Sequence, residues 1–222
     1  MIRLRIAYSK TAHMRFTGHL DLYRTWERLI RRARLPLAYT QGFNPHPKIN
    51  LSPALPLGFT SECELIDIWL EADIPLKTVL DRLKNSAPPG IIISAVQEID
   101  LGAPAIQNQV VSALYAITLQ EPLPDLREKV KQLLAADTLP RERRGKSYDL
   151  RPLIESLAIE DHSSPAILSA QLACREGATG RPEEVLAELG YPANLALVHR
   201  KMFFWLEETA ASEPVPDSIS AA

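Results

Sequence analysis

The chain of 222 residues has only two cysteines, Cys63 and Cys174, far apart and without a Cys or His at metal-ligand spacing. That excludes a disulfide scaffold and a closed zinc site, and it fits a reduced, cytoplasmic setting. No run approaches the roughly 18–20 apolar residues that cross a bilayer, so no membrane association is expected. The start, Met1-Ile2-Arg3-Leu4-Arg5, lacks the basic and apolar segments of a signal peptide and opens directly on a strand pattern. There is no Cys-x3-Cys-x2-Cys run, and two cysteines cannot ligate a four-iron cluster in the usual way. Equally absent are a phosphate-binding Gly-rich loop ending in Lys-Ser/Thr, a Gly-x-Ser-x-Gly elbow and a His-Glu-x-x-His pair. Wholesale disorder is excluded by composition, with 46% hydrophobic and 23% charged residues.

What is present is unevenly spread. The net charge is −2, yet residues 1–50 carry 10 Lys/Arg against 2 acids, whereas the other 172 residues carry 15 against 25. A split of this kind polarises a surface toward anionic partners, or lets the basic part dock on the acidic part of the same molecule.

Arg3–Tyr8 alternates as a half-buried strand does. A helix is predicted from about Thr17, its N-cap, with Asp21 in the first turn and Leu22, Trp26, Leu29, Ile30 and Ala33 as its apolar stripe. Leu37-Ala38-Tyr39 reads as a second strand. Thr40–Gly58 is crowded with proline and glycine and is expected as an ordered, function-bearing loop, with Phe43, Ile49, Leu51, Leu55, Leu57 and Phe59 there to be buried. A strand at 64–70, a helix at 76–86 and a strand at 90–98 complete a βαββαβ order. Residues 101–109 read as a linker. The order then repeats with a strand at 110–119, a helix at 123–135, a strand at 138–144, a hairpin over about 153–174, a helix at 182–189 and a strand at 197–206. The expectation is therefore an α+β protein of tandem ferredoxin-like modules with antiparallel sheets. They span 1–100, with a Gly/Pro-rich loop at 40–62, and 110–207, and a disordered tail follows at 208–222.

Tyr8-Ser9-Lys10, Gly18-His19-Leu20-Asp21-Leu22, Arg31-Arg32-Ala33 and Gln41-Gly42-Phe43-Asn44-Pro45-His46-Pro47-Lys48 together resemble the radical-SAM-linked domain family of unknown function. Pro53-Ala54-Leu55-Pro56-Leu57-Gly58, Asp149-Leu150-Arg151-Pro152 and Arg181-Pro182-Glu183-Glu184 extend the resemblance. Ala12 stands where that family usually has Gly, and Thr17 where it usually has Ser. The resemblance implies a radical-SAM protein as partner, with S-adenosylmethionine and an iron–sulfur cluster in that partner and no cofactor in this chain.

Three functions are open. The first is a non-catalytic module that binds RNA or another phosphate-bearing substrate through Lys10, Arg15, His19, Arg28, Arg31, Phe43, Asn44, His46 and Lys48. Lys and Arg would neutralise phosphate, Phe43 would stack on a base, and Asn44 and His46 would give directional hydrogen bonds. Against it stands the plain reading of the arginines as a solvated helix face. The second is metal-independent RNA cleavage or modification, with His19 or His46 as acid or base and His13 nearby. The third is docking on an acidic patch of the radical-SAM partner without nucleic acid. A second basic cluster, Arg141, Arg143, Arg144, Lys146 and Arg151, would supply the far wall of a groove or merely a soluble hairpin tip.

Overall fold

The structure, a computed structural model, describes residues 1–206 except 144, 161, 162 and 176. Arg144 and the expected tail at 208–222 lie outside the described residues. The elements in chain order are β1 (Ile2–Lys10), α1 (His19–Arg32), β2 (Ile49–Leu51), β3 (Thr60–Leu70), α2 (Leu76–Ser86), β4 (Ile91–Ile99) and α3 (Ile106–Gln109). Then follow β5 (Val110–Leu119), α4 (Leu126–Ala135), β6 (Pro140–Arg143), β7 (Lys146–Asp149), β8 (Ile154–Ile159), β9 (Ile167–Arg175), β10 (Ala178–Thr179), α5 (Pro182–Glu188) and β11 (Ala196–Trp205). The class is α+β, with five α-helices and one large, mostly antiparallel sheet among the described residues.

Alternation in β1 explains the N-terminal half. Leu4, Ile6 and Tyr8 face one way and bury against Leu22, Trp26, Leu29 and Ile30 of α1 and Val79 and Leu83 of α2. Tyr8 and Trp26 meet edge to face with centroids 4.8 Å apart. The register opposes Leu4 to Ile68 and Ile6 to Ile66, so β3 presents the same apolar face. Helix α1 is capped by Gly18 rather than Thr17, and no side chain bonds its free amides there. It ends at Ala33, after which Arg34 takes a left-handed conformation (φ 54°).

The opposite face of β1 carries Arg3 and Arg5, and here the charge count misleads. Both arginines bind the fully buried Asp67, at 2.6 and 2.8 Å. Arg3 also lies 4.6 Å from the Trp69 ring and donates to the carbonyls of Ala103 and Pro104. Two of the ten N-terminal cations are thus internal structure, and they fasten residues 101–109, expected as a linker, to β1. Residues 106–109 of that stretch form α3.

The expected second strand at 37–39 makes only isolated bridges, Leu37 to Leu70 and Tyr39 to Pro47. The strand that pairs is β2, inside the Pro-rich stretch, with Ile49 opposite Ile68 and Leu51 opposite Ile66. In the second half, β6 pairs only with β7 in a separate two-stranded ribbon, and β8 takes the place next to β9.

The sheet order is β10-β9-β5-β11-β3-β1-β4, with β2 added beside β3 and β8 beside β9. One parallel contact makes this a single sheet: His199 of β11 pairs with Thr60 of β3, and Arg200 with Ser61. Beneath it the C-terminal core gathers Ile117, Val130, Leu133, Leu172, Val185 and Leu186 together with Leu55 and Phe59 from the N-terminal half.

Candidate functional site

Two surfaces have the chemistry of a site. The first is the solvent face of α1 with the loop that runs beside it. A run of charge at helical spacing puts Arg24, Arg28 and Arg31 on the side away from Trp26, and all three are exposed. Arg24 sits 3.5 Å from Asp21 and Arg31 2.7 Å from Glu27, both solvent-exposed pairs of small energetic weight. Arg28 makes no ion pair among the described residues. The Arg31 guanidinium is held still more firmly protonated than usual, first by the Tyr39 hydroxyl beside it and then by Glu27.

Tyr39 opens the loop, and the loop is closed by its own hydrogen bonds. Thr40 N–H donates to His46 O at 2.8 Å, His46 N–H to Thr40 Oγ1 at 2.9 Å, and Lys48 N–H to Ala38 O at 2.8 Å. Tyr23 of α1 donates to the Pro47 carbonyl at 2.9 Å and ties the loop to the helix. Gly42 takes φ 136°, open to few residues other than glycine. At the tip Phe43 is fully exposed, with Asn44 and His46 also in solvent. The sequence reading counted Phe43 and Leu57 among residues to be buried. Leu51, Leu55 and Phe59 are buried, whereas Phe43 and Leu57 stand in solvent.

Of the candidate binding residues, the structure therefore gathers Arg28, Arg31, Phe43, Asn44 and His46 along α1 and its loop. Lys48 is half-buried, its ammonium 3.9 Å from the Met1 sulfur. Arg15 is half-buried beside the start of α1, its guanidinium 4.5 Å from the exposed ring of Phe16. Lys10 does not belong to the surface. It is buried, donates to the carbonyls of Arg15 and Phe59 at 3.3 Å each, and burial lowers its pKa. His19 opens α1, and its pKa is lowered by partial burial. No hydrogen bond joins any two of His13, His19 and His46, and no cluster of three or more metal-ligating groups occurs among the described residues.

The second surface is a cleft of about 660 Å³ between the two halves. Its N-terminal wall is the segment Pro53–Pro56, and its floor includes Tyr115 and Cys174. The C-terminal wall carries Arg143, Arg175 and Arg181. Directly behind the proline wall lies an arginine that the sequence reading passed over. Arg200 of β11 is completely buried and donates to Pro53 O (2.9 Å), Ala54 O (3.0 Å) and Glu64 Oε1 (2.9 Å). Ser52 Oγ donates to the other Glu64 oxygen at 2.9 Å. Opposing charge at this distance holds the Arg200 guanidinium firmly charged despite burial.

The basic cluster expected on the 140–151 hairpin is largely spent. Arg143 bonds Glu184, Tyr148 and the Thr179 carbonyl; Arg141 meets Glu188 at 2.5 Å; Arg151 caps the Leu134 and Ile154 carbonyls. Only Arg143 of these reaches the cleft. Burial pushes both thiols up, Cys63 to about 12, so neither is a ready metal ligand or nucleophile.

The described residues thus hold one cationic surface with an exposed aromatic loop tip and one arginine-lined cleft. The chain belongs to the family described as an uncharacterized protein conserved in bacteria (DUF2344), whose model matches residues 3–182. No curated protein matches the chain. No helix among the described residues is long and apolar enough to cross a membrane.

Proposed function

We propose that this protein is a non-catalytic accessory that binds RNA, or another phosphate-bearing substrate, on the α1 face and its loop, and works with a separate radical-SAM protein in the cytoplasm. The observation that carries the binding reading is Phe43, a large aromatic ring held fully in solvent at the tip of a self-bonded loop. That loop is tied to a helix whose outer face is arginine. An exposed aromatic on a loop tied to an arginine-bearing helix offers a stacking surface for an unpaired base and charge for the flanking phosphates. A loop already closed by backbone bonds loses little entropy on binding.

Among the described residues no side chain bonds the His19 or His46 ring to poise it as an acid or base, which favours binding over cleavage. The radical-SAM partner rests on the sequence resemblance; S-adenosylmethionine and the cluster would be held there, since two cysteines cannot ligate a four-iron cluster in the usual way. The two halves read as tandem ferredoxin-like modules, supported by the matching strand orders β4-β1-β3-β2 and β11-β5-β9-β8.

The test is salt-dependent binding of nuclease-treated protein to labelled single-stranded RNA and tRNA, alongside the Arg28→Ala/Arg31→Ala variant. The expected result is affinity that falls steeply with salt, with the variant weaker across all sequences and its salt slope shallower by about 2. Absence of binding at low salt overturns the RNA reading. Co-purification with the radical-SAM protein that survives nuclease treatment would then make the same face a protein-docking surface.

A further inference from the structure

The cleft between the halves is a site in its own right. Its volume of about 660 Å³ falls within the ordinary size of small-ligand pockets, about 300–1,000 Å³. Pro53, Ala54, Leu55 and Pro56 give the cleft an apolar lining on one side, and the largely buried Tyr115 also lines it. The facing wall is cationic, and its three arginines come from three separate pieces of chain.

Each of the three is placed differently. Arg143 is fixed from behind: Glu184 at 2.6 Å, the Tyr148 hydroxyl at 3.0 Å and the Thr179 carbonyl hold its guanidinium in one orientation. Arg175 is half in solvent and, among the described residues, its ion-pair contact is a long one, 3.8 Å, to Glu155. Arg181 has no carboxylate within ion-pair distance among the described residues. Gly180, between them, is buried, and a Cβ there would lie 2.9 Å from the Leu153 carbonyl. The backbone that carries Arg181 into the cleft is therefore packed against Leu153 and Leu172 and not free to swing away. A guanidinium with little or no ionic partner, on a fixed backbone, facing an apolar wall, asks for an anion attached to an apolar body.

We propose that the cleft binds a nucleotide phosphomonoester, with the phosphate on Arg175 and Arg181, Arg143 at the side, and the planar base against Pro53, Pro56 and Tyr115. The same chemistry is offered by a free mononucleotide and by the 5′-phosphorylated end of an RNA. The site is separate from the α1 face, so it stands or falls independently of RNA binding there. Because Pro53 and Ala54 hold Arg200 through their carbonyls, a ligand on their outer side braces the contact between halves.

The experiment is calorimetric titration and thermal unfolding of the full chain with AMP, adenosine, inorganic phosphate and a 5′-phosphorylated hexanucleotide. Variants are Arg175→Ala/Arg181→Ala, Ala54→Trp to fill the apolar wall, and Arg28→Ala/Arg31→Ala as a control for the α1 face. Binding of AMP is expected, weakened at least tenfold by either cleft change and unaltered in the Arg28→Ala/Arg31→Ala control. The hexanucleotide is titrated in that control background, where the α1 face no longer contributes, and its binding there is expected to weaken at least tenfold with either cleft change. In that background a tighter AMP arm identifies the free nucleotide as the source, and a tighter hexanucleotide arm identifies the RNA end. The proposal is overturned if neither binds, if binding persists in both cleft variants, or if inorganic phosphate binds as tightly as AMP. Both cleft substitutions are at exposed side chains, and a thermal melt of each variant confirms that it has folded.

Discussion

Arg200 and Glu64 form a fully buried ion pair, 2.9 Å apart, across the only parallel strand contact among the described residues. They lie 136 positions apart in sequence, and each belongs to a different half of the molecule. Removing one partner strands the other charge in the interior.

Arg200→Met is accordingly expected to lower stability by about 3–5 kcal/mol, read from urea unfolding. Arg200→Met with Glu64→Gln should recover part of that loss, because the orphaned carboxylate is gone. Equal losses for the single and double variants would mean that the carbonyls of Pro53 and Ala54, rather than Glu64, are what Arg200 serves.

Phe43 gives the opposite expectation. Its ring touches nothing it could stabilise, so Phe43→Ala should leave stability within about 0.5 kcal/mol. Affinity for single-stranded RNA should fall by about 1–3 kcal/mol if the ring stacks on a base. A large drop in melting temperature would contradict the exposed position described above.

Lys10 and Arg28 should separate cleanly although both are cations of the basic third. Lys10→Ala deprives two buried carbonyls of a donor and is expected to cost about 1–3 kcal/mol of stability with RNA affinity unchanged. Arg28→Ala should weaken RNA binding and leave the unfolding midpoint alone. A reversed pattern would return Lys10 to the binding surface.

Alkaline pH tests the buried acids. Cys63 titrates at about 12 against a usual 9.0, and Tyr115 at about 12 against 10.0, both raised first by burial. Between those values the unfolded chain has lost the proton and the native chain has kept it, so the native state binds more protons. Stability therefore falls as pH rises from about 9 to 12, by about 1.4 kcal/mol per pH unit for each group fully in its window. Unfolding in urea at stepped pH should show the decline, and Cys63→Ala should make it shallower by about one proton. A flat profile would mean that the thiol is not shielded.

What could be read from the sequence was what depends on near neighbours. The stripe Leu22, Trp26, Leu29, Ile30 is buried as helical periodicity requires, and the alternation of β1 places Leu4 and Ile6 in the core. What escaped depends on partners far along the chain. Arg3 and Arg5 look like surface charge until Asp67 is brought beneath them. Leu37-Ala38-Tyr39 has strand composition, but the paired strand is Ile49-Asn50-Leu51, whose register with β3 is set by tertiary fit rather than by propensity. At the candidate site, the Gly42–Lys48 loop could be recognised from its alternating prolines. The cleft could not, because Arg143, Arg175 and Arg181 are scattered over almost forty positions and carry no spacing signal. Arg200 was hidden likewise: in sequence it sits between His199 and Lys201 and looks like one more surface charge until Glu64 is brought beside it.

The place of β11 in the sheet has a consequence for synthesis. This strand, the last described, lies in the middle of the order, between β5 and β3. As the chain leaves the ribosome, the strands on either side are complete while the slot between them is open, with bare backbone amides and carbonyls along β5 and at the Thr60–Ser61 end of β3. Until about residue 200 has emerged, the nascent protein is two half-sheets with sticky margins, exposed to pairing with a neighbouring chain or to capture by a chaperone. A ribosome that stalls shortly before β11 would leave that gap unfilled.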